Sequence, residues 1–159
     1  MAVDVKQVSD RRKVHYASLR DLVADVEKLA AGNVRTVGNR DFGQILRHLT
    51  LVMNNSIDGK SSSLGIPWHI RIAARLLRKQ ILARGLRPGF KLPEREDARV
   101  WPPAGELSDA VDALRKAVHR LETETKRSSH PAFGAMDADE WNLFHLRHAE
   151  LHMSFVLPA

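Results

Sequence analysis

The chain has 159 residues, 43% of them hydrophobic, and carries 25 Lys and Arg against 19 Asp and Glu for a net charge of +6, which suits one ordinary domain with enough apolar material for a core. The absence of cysteine excludes disulfides, thiolate metal sites, iron–sulfur clusters and a cysteine nucleophile. No apolar run reaches the roughly 18 residues of a spanning helix, and the first residues lack the apolar stretch of a signal peptide, so the expectation is a soluble, cytoplasmic protein of one domain, 1–159.

Residues 1–17 read as an extended N-terminal segment, with Arg11, Arg12 and Lys13 on a solvated stretch. Ser18, with Asp21 three residues later, opens a first helix; Leu19, Leu22, Val26 and Leu29 form its apolar stripe and Gly32 ends it. A second helix starts at Asn39 or Asp41 and runs to about Ile57, burying Ile45, Leu49, Val52 and Met53, before Asp58-Gly59 stops it and 60–63 form a loop. A third follows Pro67, from Trp68 to Arg84, with Ile70, Ala73, Ala74, Leu77 and Ile81 on one face.

Basic residues crowd the other face of this third helix and the stretch beyond it. Between Ile66 and Arg99 lie nine of them (Arg71, Arg75, Arg78, Lys79, Arg84, Arg87, Lys91, Arg95 and Arg99) against Glu94, Glu96 and Asp97, which accounts for the whole net charge. Residues 86–105, with four prolines, read as a long loop whose Phe90, Leu92, Val100 and Trp101 pack onto the helices. A fourth helix spans about Glu106 to Lys126. A last one, capped by Asp137 with Glu140 at the capping-box position, continues to about Val156, with Trp141, Phe144 and Phe155 in core positions. No strand-like alternation of useful length is present, so the expected class is all-α: four helices as the frame and the basic third helix as an extra element between the second and third of them.

The chemistry concentrates in the last helix, where His145, His148 and His152 fall within eight residues. At about 100° per residue, His148 and His152 share a face one turn apart and can reach one ion, with His48 of the second helix as the leading third ligand. A single histidine beside an apolar stripe is usually a satisfied core residue; three on one face are costly to bury unless something binds them. Both readings are open at this point. Glu150 lies two positions after His148, about 200° around the helix, and cannot be the base of a His-Glu-x-x-His protease. No histidine follows a glutamate at the spacing of the di-iron carboxylate bundles. What remains is a three-histidine set with open positions, suited to zinc, nickel, copper or iron. By helical phase Gln44 and Asn55 are candidates to orient the ligand rings, and Arg147 faces solvent. His15, His69, His119 and His130 have no partner at fixed spacing.

The pattern Gln44-Ile-Leu-Arg-His48-Leu, together with His148-Ala-Glu-Leu-His152 inside Trp141-Asn-Leu-Phe-His145-Leu-Arg-His148, resembles the DinB/YfiT-like superfamily of bacterial metal-binding four-helix bundles. The Arg12-Lys13 start, the Ser56-Ile-Asp-Gly59 helix end and the closing histidine run resemble one branch of it, a family of unknown function, over roughly Arg11 to Val156. The resemblance implies an up-down-down-up bundle, a divalent ion (commonly nickel or zinc, with iron also possible) on His48, His148 and His152, and a homodimer. The superfamily's characterised members include thiol-dependent transferases and isomerases that use low-molecular-weight thiols; a hydrolase is the other reaction that a metal with an open position suits. His145 is an addition to that pattern, expected beside the ligands, as a substrate contact, or in place of one of them.

Two functions compete on this reading. One is a metal-dependent enzyme, in which Asp58, Glu140 and Glu150 are available carboxylates and Arg87, Lys91 and Arg95 would orient an anionic substrate. The other is a non-enzymatic binding or interaction module acting through the basic 71–99 segment, where no nucleic-acid motif is present and nucleic acid is not the expected partner.

Overall fold

A computed structural model describes residues 3–60, 65–89 and 94–159, the side chains of Glu94 and Arg95 excepted. The order of elements is α1 (Leu19–Ala30), β1 (Val34–Thr36), α2 (Phe42–Asp58), α3 (Trp68–Arg84), α4 (Glu94–Val100), α5 (Leu107–Thr123), α6 (Ala138–Met153) and β2 (Val156–Pro158). The described chain is mostly helical, with one antiparallel pair of strands, β1 and β2. No helix of the described residues is long and apolar enough to cross a membrane.

Three helices start on the same device. Ser18, Asp41 and Asp137 each accept the amide of the residue three positions on, and Asp21, Gln44 and Glu140 reach back to the cap amide. Each box satisfies donors that the first helical turn would leave bare. α2 ends where the sequence demands it: Gly59 adopts the left-handed conformation (φ 75°) and its amide closes on the Asn55 carbonyl.

The principal helix contacts pair α2 with α5 and α6, and α1 with the same two. Their buried stripes meet in one apolar cluster that includes Leu22 and Val26 of α1, Leu46 and Met53 of α2, Leu114 and Val118 of α5, and Ala149 and Met153 of α6. A second cluster of Leu82, Phe133, Met136, Trp141 and Phe144 holds α3 against α6. Trp141 is 1% exposed, and its indole N–H donates to the Ser128 carbonyl. The core positions expected for Trp141, Phe144 and Phe155 are all buried.

Several expectations are corrected. The chain is not wholly helical: α6 stops at Met153, and Thr36, Arg35 and Val34 pair with Val156, Leu157 and Pro158. The proline-containing 86–105 stretch holds a helix, α4. On α3 Ala74 and Ile81 pack inward as expected, joined by Leu82, while Ile70, Ala73 and Leu77 are exposed. Arg12 is not solvated. It forms a two-pronged pair with Asp25, 2.8 and 2.6 Å, and Tyr16 donates its hydroxyl to the same carboxylate. Arg11 donates to Ser154 and stacks over Phe155. Arg147 is turned back onto Glu150 rather than out to water.

The Arg12–Asp25–Tyr16 group straps the N-terminal segment to α1, and it sets up a test. Asp25→Ala leaves a half-buried guanidinium and a buried phenol without their acceptor. The variant is expected to lose about 2–3 kcal/mol of stability in urea unfolding. A loss below about 0.5 kcal/mol, the range of an ordinary surface change, would show that the segment is not held by this carboxylate.

Candidate metal centre

His48 projects from the middle of α2, and His148 and His152 from successive turns of α6. Contact between α2 and α6 brings the three rings together. Nε2 of His148 lies 3.1 Å from Nε2 of His48 and 3.0 Å from Nε2 of His152. One nitrogen from each ring lies within 4.8 Å of the others. Four tetrahedral nitrogen ligands at about 2.0–2.1 Å from a zinc-sized ion sit roughly 3.3 Å apart; the two Nε2 distances to His148 are close to that spacing, and the three histidines together could hold a metal ion.

The ring orientations are fixed from outside. Nδ1 of His48 is 2.7 Å from the carbonyl of Val100, at the end of α4. A carbonyl only accepts, so Nδ1 carries the proton and Nε2 of the neutral ring turns a bare lone pair to the other two histidines. The Trp101 indole stacks on His48, centroids 4.1 Å apart and planes at 20°. Its other neighbours are the Arg40 guanidinium, 4.8 Å from the indole, and the His152 ring, edge-on. Arg40 also pairs with Asp97 of α4 at 2.6 Å. On the opposite side Phe144 stacks parallel to His148.

Burial lowers the pKa of all three histidines, His48 to about 4 and the other two well below the usual value; for His148 the neighbouring imidazoles push in the same direction. The rings are therefore neutral near pH 7. With the His48 lone pair directed inward, any proton arrangement that avoids opposing two N–H groups leaves at least two lone pairs converging. A cation relieves that convergence, and neutral imidazole is the form that ligates.

The three rings line a cavity of about 1190 Å3 bounded by described residues. Phe133, Phe144, Ile81, Leu86 and Trp101 give it apolar walls, with Asn55 and Arg87 among its polar lining. A family model described as a protein of unknown function, DUF1569, matches residues 8–159. The chain belongs to that family. Comparison with curated proteins and with solved structures gives no match.

In this DUF1569 protein the remaining expected site residues fall in different places. Asn55 lines the cavity two turns beyond His48. Gln44 does not reach His48: its side chain is spent on the Asp41 amide, and a backbone carbonyl takes the place expected for it. His145 is 1% exposed, stacked on Trp141, with Nε2 3.1 Å from the Ser56 hydroxyl. That hydroxyl donates to the Met53 carbonyl, so Nε2 of His145 is the donor between them, and Nδ1 faces no partner among the described residues. It is neither a ligand of the cluster nor part of the cavity wall. Arg87 lines the cavity; Lys91 and the side chain of Arg95 lie outside the described residues.

The carboxylates considered as bases are engaged elsewhere. Asp58 pairs with Arg120, Glu140 with Arg78, and Glu150 with Arg147 and the Tyr16 amide. Sequence reasoning missed His130 of this DUF1569 chain, whose ring packs among Phe133, Trp141 and Phe144 on the cavity wall. Its Nδ1 accepts the amides of Ala132 and Phe133. The only signal in the sequence was its place before the Pro131-Ala-Phe-Gly134 turn, which no helical spacing reveals.

Proposed function

We propose that the chain is a metal-dependent enzyme whose divalent ion is held by His48, His148 and His152. The observation that carries this reading is the convergence of three neutral imidazoles on one point of a large, mostly apolar cavity, with the His48 tautomer set by Val100. Nitrogen ligands alone favour nickel or zinc, with iron next. The helical frame and the histidine set resemble the DinB/YfiT-like four-helix bundles, and that likeness carries the finer reading: a thiol-dependent transferase with a low-molecular-weight thiol, or a hydrolase, working as a homodimer.

An ion bound there would supply Lewis-acid polarisation of a water, thiol or carbonyl. The chain's own residues do the rest. Trp101 and Phe144 hold two ligand rings in plane and shield them from bulk water. Arg87, on the cavity wall, is placed to orient an anionic group of a substrate. Lys91 and Arg95 belong to the same proposal by sequence alone.

The test is turnover. Protein loaded with nickel or zinc is assayed with activated esters and with a thiol plus an electrophile, wild type beside His152→Ala. Turnover confined to the wild type supports the enzyme. A wild type that binds metal but turns over neither substrate class shifts the reading to a binding module. That second reading has its own observation, the cationic outer face of α3.

A further inference from the structure

α3 is fastened to the body on one side only. Leu82 is its one fully buried residue, and Ala74 and Ile81 pack on the second cluster beside it. Arg78 pins it further, donating to the Ala135 carbonyl at 2.6 Å and pairing with Glu140 at 2.8 Å. The rest of the helix carries large apolar side chains that nothing covers among the described residues. Trp68 is 72% exposed and Leu76 81%, with Ile70, Ile72 and Leu77 between 43% and 49%. Apart from Val3, every exposed large hydrophobic of the described chain is on this one helix. Scattered apolar residues on a surface are ordinary; a contiguous set marks an interaction face.

Its charge says what kind of partner fits. α3 contains no acidic residue. Trp68, Ile72 and Leu76 form one ridge at a spacing of four, and Arg71, Arg75 and Lys79 form the adjoining ridge. None of Arg71, Arg75, Lys79 or Arg84 has a carboxylate within ion-pair distance among the described residues, in contrast to Arg78. A second copy of the chain docked on this face would press unpaired cations against cations at an apolar seam. A nucleic acid would set Leu76 and Trp68 against phosphates. An apolar arc with an indole at one end and long cationic side chains along its flank is the pattern of a helix lying in the plane of an anionic bilayer surface.

We infer that the outer face of α3 docks the protein flat onto an anionic lipid surface, with Ile72, Leu76 and Trp68 entering the interface and Arg71, Arg75 and Lys79 meeting the headgroups. The inference does not depend on the metal reading. The experiment is co-sedimentation of the full chain with phosphatidylcholine vesicles, with and without phosphatidylglycerol, at low and high salt. Binding is expected only with phosphatidylglycerol and is expected to weaken with salt. Arg71→Gln/Arg75→Gln/Lys79→Gln should lower partitioning about a hundredfold, and Ile72→Ser/Leu76→Ser more than about tenfold. Ile72, Leu76, Arg75 and Lys79 are exposed and Arg71 is half-buried, so melting temperature is read beside partitioning in both variants, and Arg75→Gln/Lys79→Gln, at exposed positions only, should weaken binding at an unchanged melting temperature. Equal binding to neutral vesicles, no binding at all, or variants that bind like the wild type would overturn the inference. Self-association abolished by Ile72→Ser/Leu76→Ser without vesicle binding would assign the face to a second copy. Capture by polyglutamate without vesicle binding would assign it to an acidic protein. Either result would overturn the lipid assignment.

Discussion

Elemental analysis of protein purified without a histidine tag is expected to find close to one divalent ion per chain, and less than about a tenth of that in His148→Ala. His148 is the variant to choose because its Nε2 is the central nitrogen, within 3.1 Å of both others. Removing it leaves two imidazoles, His48 and His152, on different helices and without a bridging third. The loss should appear in stability as well. A ligand present at a thousandfold over its dissociation constant stabilises the folded state by about 4 kcal/mol. In a domain of this size that is a rise of roughly 10 °C in melting temperature. The wild type should show that rise on adding metal after chelation, and His148→Ala should not. Equal metal content in the two proteins, or an equal rise, would mean that the ion sits elsewhere. No ion and no rise in either would leave the three histidines as packed core residues, and far-UV dichroism of the variant separates both outcomes from unfolding.

The second large effect is a fall in stability with acid, independent of any ion at the triad. His145, buried, and His130, half-buried, lie outside the three-histidine cluster, and burial pulls their pKa values down to about 3 and about 4. Their unfolded-state value is near 6.5. The unfolded chain therefore takes up protons first as pH falls. The stability these groups contribute is present above about pH 6.5 and drains away as pH falls toward their folded values. Between pH 7 and pH 5 each costs roughly 2 kcal/mol, so the pair should contribute about 4 kcal/mol to the fall in urea-unfolding free energy, to which the three clustered histidines add in metal-free protein. His145→Gln should reduce the fall by about 2 kcal/mol, since Gln can still donate to Ser56 and does not titrate. A wild-type stability that is flat across this range would show that both rings are hydrated in solution.

How much of this was legible in the sequence follows from the range of each interaction. His48, His148 and His152 could be grouped because helical phase is a local property and two of the three share one helix. The capping boxes of α1 and α6 were legible for the same reason. The partners that hold His48 were not. Val100 and Trp101 lie more than 50 residues away, and a backbone carbonyl carries no side-chain signature. Gln44 misled because it lies both one turn before His48 and three residues after the helix cap, and the nearer bond, to the Asp41 amide, wins. α4 was read as loop because Glu94-Arg-Glu-Asp-Ala-Arg-Val100 has no apolar period. It is docked by Asp97 on Arg40 and by the buried Glu96. Strands β1 and β2, at three residues each, are too short for alternation to register. On α3 the inward face was legible at Ala74 and Ile81 but not at Ile70, Ala73 and Leu77, because apolar residues run almost all round the helix and periodicity could not choose between them.

The tie between Val100 and His48 has a thermodynamic consequence. One imidazole of the triad is oriented by a carbonyl at the end of α4, and α4 also places Trp101 on the cavity wall. Moving α4 outward frees the His48 ring and opens the cavity in the same motion. By reciprocity of linked equilibria, whatever wedges α4 away loosens the grip of the three histidines on an ion. An ion that gathers the three rings draws α4 inward by the same free energy.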